Sequence, residues 1–221
     1  MIITLNDVTL AYHILGDGVP VVMLHGWGAS SELVMPLAKK LAPLGYATHI
    51  LDLPGHADSP EPPSAWSVAD YAQLVVAYIQ HQQLGRVHLF GHSFGGRVSL
   101  ILGAEYPHLI QKIVLADAAG IRPKTPFIKQ IRLNSYKFVR DGLKAIGLRG
   151  LSDQLRGWYT KKYASSDFLA TSGVMRETFL RVVNQDLSDY AKRIQAPTLL
   201  IWGENDQDTP LWQAKHLENL I

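Results

Sequence analysis

The stretch that decides the fold is Gly91-His92-Ser93-Phe94-Gly95, which places a serine between two glycines. It follows a predicted strand at residues 86–90 and precedes a helical segment, the context in which this pattern marks a nucleophilic serine on a sharp turn. A β-carbon at either glycine would collide with neighbouring strand or helix backbone. The stretch therefore predicts a strand, a strained turn and a helix, with Ser93 as nucleophile; the alternative is a glycine-rich turn with an idle serine.

Outward from this turn, short apolar runs predict further strands. Before them, residues 8–14 alternate apolar and polar, which predicts a half-buried antiparallel strand. The apolar runs are typical of strands covered on both faces, with helical stretches between most of them. They lie at residues 21–24, 47–51, 86–90, 113–116 and 197–202. We therefore predict an α/β fold with a mostly parallel central sheet flanked by helices.

Two helical regions stand out. Ser67 and Asp70 form a capping box. It begins a helix whose predicted apolar face holds Tyr71, Leu74, Val75, Tyr78 and Ile79. The strand and helix alternation breaks down between Gly120 and Tyr190, which predicts a helical cap or lid over the carboxyl ends of the strands. The predicted domains are a first core part (1–120), a helical cap (121–190) and a second core part (191–221).

The cap sequence is basic near its start. Residues 121–150 contain eight lysines and arginines against Asp141 as the one acidic residue, and the first cap helix is expected over residues 127–146. We interpret the charges as a solvated helix face, with a membrane-surface or anion-steering role as the alternative.

Composition excludes several classes. The 221 residues are 47% hydrophobic and 18% charged, as in ordinary globular proteins, and a net charge of +2 gives no basic stripe for nucleic acid. The chain has no cysteine, which excludes disulfides, thiolate metal sites and cysteine nucleophiles. No apolar run approaches the roughly 20 residues of a membrane span, and the start lacks a signal-peptide pattern. We expect a cytoplasmic protein with a small-molecule substrate and no cofactor or metal.

The order of three loops gives a resemblance. His25-Gly26-Trp27-Gly28 comes first, Asp52-Leu53-Pro54-Gly55-His56 follows, and the serine turn comes third. This order resembles the α/β-hydrolase superfamily over nearly the whole chain. The resemblance implies that the backbone N–H groups of Trp27 and Phe94 form an oxyanion hole. One departure is Ala57, where many relatives have glycine, and it makes the conformation of that loop uncertain.

The resemblance also implies an acid. Trp202-Gly203-Glu204-Asn205-Asp206, followed by Pro210, is similar to the loop that carries the triad carboxylate, and Asp206 occupies the matching position. Such a carboxylate orients the catalytic imidazole and stabilises its charged form. Asp117, at the end of another predicted strand, is a minor alternative.

No convincing base follows. The family order is Ser, Asp, His, and the histidine usually follows one further strand. The only histidine after Asp206 is His216, on a predicted helix, where a solvated residue is the expected role. His25 and His92 precede Ser93 and are expected to be fixed in their loops, as His56 is in its own. We therefore expect a chain truncated before its last strand and helix, with an exposed sheet edge through which it could form a homodimer.

These expectations converge on a serine hydrolase of small carboxylic esters that forms an acyl-enzyme at Ser93, inactive or very weak as this chain. One alternative keeps the fold and cleaves C–C bonds or acts as a cofactor-free oxidoreductase. Another is a non-catalytic ligand-binding relative.

Overall fold

The computed structural model describes residues 1–122 and 127–221, and the side chains of 1–122 and 131–221. Lys124 and Lys129 of the basic stretch lie outside the described side chains. Within these described residues, seven strands form one sheet. They are β1 (Ile2–Leu5), β2 (Val8–Leu15), β3 (Val19–Leu24), β4 (Tyr46–Asp52), β5 (Val87–His92), β6 (Ile110–Ala116) and β7 (Thr198–Ile201).

The sheet order is β1-β2-β4-β3-β5-β6-β7. The pairs β1/β2 and β2/β4 are antiparallel, and all the others are parallel. The expected mostly parallel sheet is therefore confirmed, with its antiparallel part at the start of the chain. The carboxyl ends of β3, β5, β6 and β7 meet at one edge of the sheet, where ligands bind in open α/β folds.

The helices of the described residues lie between and after the strands. They are α1 (Ser31–Leu41), α2 (Val68–His81), α3 (Phe94–Glu105), α4 (Phe127–Ala145), α5 (Arg149–Tyr163), α6 (Ser166–Ala170), α7 (Gly173–Asn184), α8 (Ser188–Ala191) and α9 (Trp212–Leu220), with a short 3₁₀ helix at Ala42–Leu44. Described helices thus fill the segment that we predicted to be helical. No described helix has the length and apolar character needed to cross a bilayer.

The central strand β3 and the apolar face of α2 are buried as their sequence patterns predict. Val22, Met23 and Leu24 of β3 are fully buried, because β4 and β5 pair with it on either side and helices cover both faces. The capping box at α2 is present, since Ser67 and Asp70 each bind the other's backbone N–H. The predicted apolar face of α2 is buried against the sheet. Both elements follow directly from their sequence patterns.

The last strand is the exception. β7 pairs with β6 and, within the described residues, with no other strand. Leu199 is 56% exposed and Ile201 is 50% exposed, whereas Leu115 of β6 is fully buried. Within the described residues, β7 is therefore the outermost strand beside β6, and its side chains are more exposed than those of the central strands.

The chain divides into two compact units. The first contains Met1–Arg122 and Gly173–Ile221, and the second contains Pro123–Ser172. The sheet, α7, α8 and α9 belong to the first unit. In the second, α4 and α5 pack together, with the Tyr136 and Tyr159 rings stacked at 3.9 Å between centroids.

Candidate active site

Ser93 lies on the turn between β5 and α3 with φ 48° and ψ −107°, a backbone conformation that residues other than glycine rarely adopt. The turn is held by its neighbours. The Ser93 N–H donates to the carbonyl of Ala116 at the end of β6 (3.2 Å), and the Ser93 carbonyl accepts from the N–H of Ala119 (3.1 Å). The strained conformation is therefore imposed by contacts with the neighbouring strand, as it is at many functional sites.

The two flanking glycines are required because the turn has no room for a Cβ atom at either position. A Cβ on Gly95 would collide with the backbone carbonyl of Leu24, at the end of β3. A Cβ on Gly91 would lie 2.6 Å from the carbonyl oxygen of Gly95. The predicted collisions are confirmed, and they explain how the turn fits between β3 and the start of α3.

The loop after β3 packs directly on the serine turn. The Gly95 N–H donates to the carbonyl of His25 (3.0 Å), and a Cβ on Gly26 would lie 3.3 Å from the Cβ of Ser93. The buried His25 ring donates from Nδ1 to the Gly26 carbonyl (2.7 Å) and accepts at Nε2 from the Leu53 N–H (3.0 Å). This pairing requires the neutral ring, and burial is the main cause that lowers the pKa of His25. His25 is therefore fixed in its loop, as we expected, and it also connects that loop to the Leu53 loop and to the start of α3.

Trp27 and Phe94 flank Ser93 on this side. Their rings meet edge to face at 5.2 Å between centroids. In the described part of the chain, neither backbone N–H donates a hydrogen bond to a protein group. Two unpaired N–H donors thus lie next to a partly exposed serine hydroxyl.

The His56 loop completes this side. His56 is buried, and its Nδ1 shares a proton between the carbonyls of Leu53 and Pro54 (3.2 Å each). Burial, with a smaller contribution from the neighbouring His25, lowers the pKa of His56 to about 4. The predicted bracing role is confirmed. Ala57 has φ 48°, so the residue that departs from the family pattern occupies a conformation that favours glycine.

Helix α7 adds an element that the sequence patterns did not connect with the site. Phe179 of α7 packs edge to face on Trp27, with 5.2 Å between ring centroids. The Thr178 hydroxyl accepts from the Trp66 N–H (3.1 Å), and the Arg181 guanidinium donates to the Ala65 carbonyl (2.6 Å). Helical periodicity could locate the apolar face of α7 but not the aromatic ring on which it packs.

Asp206 lies in the loop after β7. Its carboxylate accepts from the N–H groups of Asp208 (2.7 Å) and Thr209 (2.8 Å) and from the Thr209 hydroxyl (3.0 Å). Desolvation alone would raise the pKa of Asp206. The hydrogen bonds from Thr209 and Asp208, together with a smaller effect of the nearby His92, outweigh it and hold this pKa below its ordinary value. Asp206 is therefore a well-anchored carboxylate.

Asp117 and Thr209 link this loop to the serine turn. Asp117 follows β6, and its carboxylate accepts from the Gly203 N–H (2.8 Å). The buried Thr209 hydroxyl bonds both to the Asp117 carbonyl (3.1 Å) and to the Asp206 carboxylate (3.0 Å). Asp117 thus positions the loop that carries Asp206. The position of Thr209, three residues after an aspartate, is the sequence signal that could have indicated its role.

The positions of the histidines differ from that of the base in a catalytic triad. In the described part of the chain, the Ser93 hydroxyl makes no hydrogen bond to a histidine ring. His216 is exposed on α9 and acts electrostatically on Asp186, between α7 and α8. His92 has a buried Nδ1 with no partner in that part of the chain, so the expectation that its loop fixes it is not supported by a hydrogen bond. The structure brings Ser93, Trp27 and Phe94 together, with Asp206 two strands away.

Comparisons with known proteins agree with this geometry. A family model described as the alpha/beta hydrolase fold matches residues 19–220. The chain is 26% identical to 2-(acetamidomethylene)succinate hydrolase of Mesorhizobium japonicum, over 93% of the chain and 77% of that protein. It is also 26% identical to the pimeloyl-[acyl-carrier protein] methyl ester esterase of Chromobacterium violaceum, over 94% of the chain and 85% of that protein.

A solved structure agrees in fold. The esterase EaEST from Exiguobacterium antarcticum superposes with a TM-score of 0.74 and 24% identity, over 100% of this chain and 87% of that one. The order of strands, the strained serine turn and the family match over most of the chain lead to one conclusion. This chain belongs to the alpha/beta hydrolase fold family and is a hydrolase.

Proposed function

We propose that the protein is a serine hydrolase of small carboxylic esters that forms an acyl-enzyme at Ser93. The observation that carries the proposal is the strained turn at Ser93, with the unpaired N–H groups of Trp27 and Phe94 beside it. Ser93 Oγ attacks the ester carbonyl, the alcohol leaves, and water then releases the acid. A receptor that only binds ligands has no need of a strained serine turn, which makes the non-catalytic alternative weaker.

The two N–H groups form the oxyanion hole in this proposal. Charge develops on the carbonyl oxygen only in the transition state, and a preorganised donor there is worth about 10²–10³ in kcat. The donors are backbone atoms. A side-chain substitution at Trp27 or Phe94 would therefore change the shape of the site without removing the donors.

Asp206 is the triad acid in this proposal. Its lowered pKa keeps it ionised at neutral pH, as needed to stabilise an imidazolium. Asp117 is the weaker candidate for this role, because the resemblance to the family's acid loop lies at Asp206; the Asp117 carboxylate accepts from the Gly203 N–H of that loop. Asp117 therefore positions the acid loop.

We assign no residue as the general base for Ser93, and we therefore expect weak esterase activity. His216 is exposed and faces Asp186, while both ring nitrogens of His25 are engaged within its loop. Loss of one member of a complete triad costs up to about 10⁶ in kcat, and oxyanion-hole and binding effects are what is left. We therefore propose that the 221-residue chain hydrolyses esters very slowly.

The substrate class is supported by a relative. The similar protein of Chromobacterium violaceum is named as a methyl ester esterase. Hydrolysis of a carboxylic ester needs a nucleophile, an oxyanion hole, a base and a pocket, and the proposed site contains the first two. Cleavage of a C–C bond, the alternative with the same fold, would also need groups that stabilise a carbanion.

The test supplies free imidazole as the base that the proposed site lacks. Hydrolysis of p-nitrophenyl acetate is measured with increasing free imidazole, for the wild type, Ser93→Ala and the exposed-loop control Ser64→Ala. Imidazole reacts with this ester by itself, so the Ser93→Ala rate is the background. We expect imidazole to raise the rate of the wild type and of Ser64→Ala well above that background.

Mass spectrometry identifies the intermediate. A slowly deacylating ester should add one acyl group on the peptide that contains Ser93, in the wild type but not in Ser93→Ala. Equal imidazole dependence in the wild type and Ser93→Ala, with no acylated peptide, would contradict the proposal.

A further inference from the structure

The second compact unit, residues 123–172, is strongly basic. It contains ten lysines and arginines against three aspartates, a net charge of +7, although the whole chain carries only +2. Among the described side chains of this unit, the one ion pair joins Arg140 to Asp141. The other described cations of the unit, from Arg132 to Lys162, have no acidic partner among those side chains. Most of this positive charge is therefore not neutralised within the unit.

Helix α4 of this unit has an exposed apolar stripe. Phe138 is 82% exposed, and Ile131 and Val139 are also exposed. Ile146 is 71% exposed and continues the stripe, because its N–H donates to the Gly142 carbonyl (3.2 Å) as in a helix. Their helical spacing places the four apolar side chains on one side of α4. A solvated helix face, our interpretation of the charges, does not account for this stripe.

Helix α5 places further apolar side chains beside the stripe. Leu151 and Trp158 of α5 are exposed and lie seven residues apart, on one side of that helix. Val139 of α4 and Trp158 line the same groove between the two helices, which has a volume of about 230 Å³. The two sets of side chains therefore belong to one face of the helix pair. We call it the α4–α5 face, and it consists of Ile131, Phe138, Val139, Ile146, Leu151 and Trp158.

Two cations lie on aromatic rings at this face. Lys162 Nζ is 5.1 Å from the centroid of the Trp158 ring, and the Arg132 guanidinium is 4.1 Å from that of Tyr163. Helices that lie in the headgroup region of a bilayer combine exposed tryptophan and other apolar side chains with lysine and arginine in this way. Such binding requires no helix that crosses the membrane. The chemistry of the α4–α5 face is therefore that of a surface for lipid.

We propose that the α4–α5 face binds the surface of an anionic lipid bilayer, with α4 and α5 in the plane of the headgroups. The exposed apolar side chains enter the boundary between headgroups and acyl chains, while the lysines and arginines attract the anionic headgroups. Nucleic acid would match the charge of the unit but not its six exposed apolar side chains. Two such faces would repel each other, because each carries the same positive charge.

The first experiment measures binding of the full chain to sedimented vesicles. Vesicles of equal parts phosphatidylcholine and phosphatidylglycerol should bind the chain about tenfold more strongly than vesicles of phosphatidylcholine alone. Raising the salt from about 0.1 M to about 1 M shortens the Debye length from about 10 Å to about 3 Å, so binding to the anionic vesicles should fall. Equal binding to both kinds of vesicle would overturn the proposal.

Two variants separate the apolar and the charged contributions. Phe138→Ser removes the most exposed side chain of the face and should weaken binding about tenfold, with unchanged thermal melting. Lys162→Gln removes one cation and should weaken binding about fivefold. The matched controls lie in the other compact unit. They are Leu44→Ser, whose wild-type leucine is 71% exposed, and Lys40→Gln on α1, and both should bind as the wild type does.

Tryptophan fluorescence tests the orientation of the face. On anionic vesicles, the emission of Trp158 should shift to shorter wavelength and be quenched by lipids brominated on their acyl chains. Trp158→Phe keeps an apolar ring, so it should retain most of the binding and lose the quenching. Trp212→Phe on α9 is the control and should retain both.

Three further results would overturn the proposal. They are absence of binding to anionic vesicles, wild-type binding by Phe138→Ser, and quenching that persists in Trp158→Phe. Absence of vesicle binding together with a dimer that Phe138→Ser dissociates, as seen by light scattering, would show that a second copy covers the face. These measurements use no ester, so their outcome is independent of the hydrolase experiments.

Discussion

On the β3 side of Ser93 the polar groups are buried and bonded to one another, whereas on the β7 side they lie in exposed loops. His25 and His56 are neutral, inaccessible and hydrogen-bonded to loop carbonyls. Asp206, by contrast, is partly exposed and anchored mainly by one buried threonine. Ser93 is therefore fixed by packing and Asp206 by a few hydrogen bonds. Substitutions on the two sides should have effects of different size.

The largest effect is expected from Gly95→Ala. The added methyl group meets the backbone carbonyl of Leu24, which cannot rotate away, so we expect a loss of about 3 kcal/mol in the free energy of unfolding. The matched control on the β7 side is Gly203→Ala, whose Cβ would meet nothing closer than 3.7 Å. That change should cost less than about 0.5 kcal/mol. Urea denaturation measures both, and similar losses would remove the contrast between the two sides.

The next effect is a pH dependence to which the buried His56 of the β3 side contributes. The pKa of His56 is about 4 when folded, against 6.5 for the ordinary value. Below pH 6.5, His56 binds a proton in the unfolded chain but stays neutral in the folded chain. Lower pH therefore favours unfolding. Between pH 6.5 and pH 5 this group should lower the free energy of unfolding by about 2 kcal/mol.

Denaturation curves at several pH values test this. His56→Gln, which keeps a donor for the loop carbonyls, should reduce the slope between pH 6.5 and pH 4, and the buried His25 should keep part of it. The control is His81→Gln at the exposed end of α2, which should leave the slope as in the wild type. An unchanged slope in His56→Gln would show that this histidine is not held neutral.

On the β7 side, Thr209→Val should have a smaller effect on stability. It removes the hydroxyl that bonds to both Asp117 and Asp206, at a cost of about 1 kcal/mol. The pKa of Asp206 should rise toward its ordinary value, as measured by the carbon chemical shift of its carboxyl group during an NMR titration. Thr9→Val on β2 is the control and should leave that pKa unchanged. A constant Asp206 pKa in Thr209→Val would show that the backbone donors alone anchor the carboxylate.

The smallest effect is expected from His216→Ala. His216 is exposed on α9 and faces Asp186, so the imidazole-assisted ester hydrolysis of the wild type should be unchanged. Rates with and without imidazole measure this. A loss of the slow hydrolysis seen without imidazole would identify His216 as the base.

The sequence predicted most of the sheet because each buried strand has its own local pattern. The apolar run of β3 and the alternation of β2 are visible without any knowledge of their neighbours. The glycines at 91 and 95 were equally informative, because close backbone approach excludes other side chains there. These parts of the fold can be predicted because each has a local sequence pattern.

The contacts between distant segments could not be predicted in this way. Phe179 packs on Trp27, and Thr209 bonds to Asp117, although nothing in the sequence near either member of a pair indicates the other. A helical pattern shows that a residue is buried but not which ring it meets. The bond of Asp117 to Gly203 could not be predicted for the same reason, since it depends on how the β6 and β7 ends meet.

The return of the chain to the first compact unit at Gly173 has an evolutionary consequence. The chain leaves that unit after Arg122, and α7 makes its contacts with Trp27 and Trp66 after the return. An exchange of residues 123–172 would leave both partners of the ring contact between Trp27 and Phe179 in the chain. Recombination at these two junctions would alter one module of the protein and preserve the other.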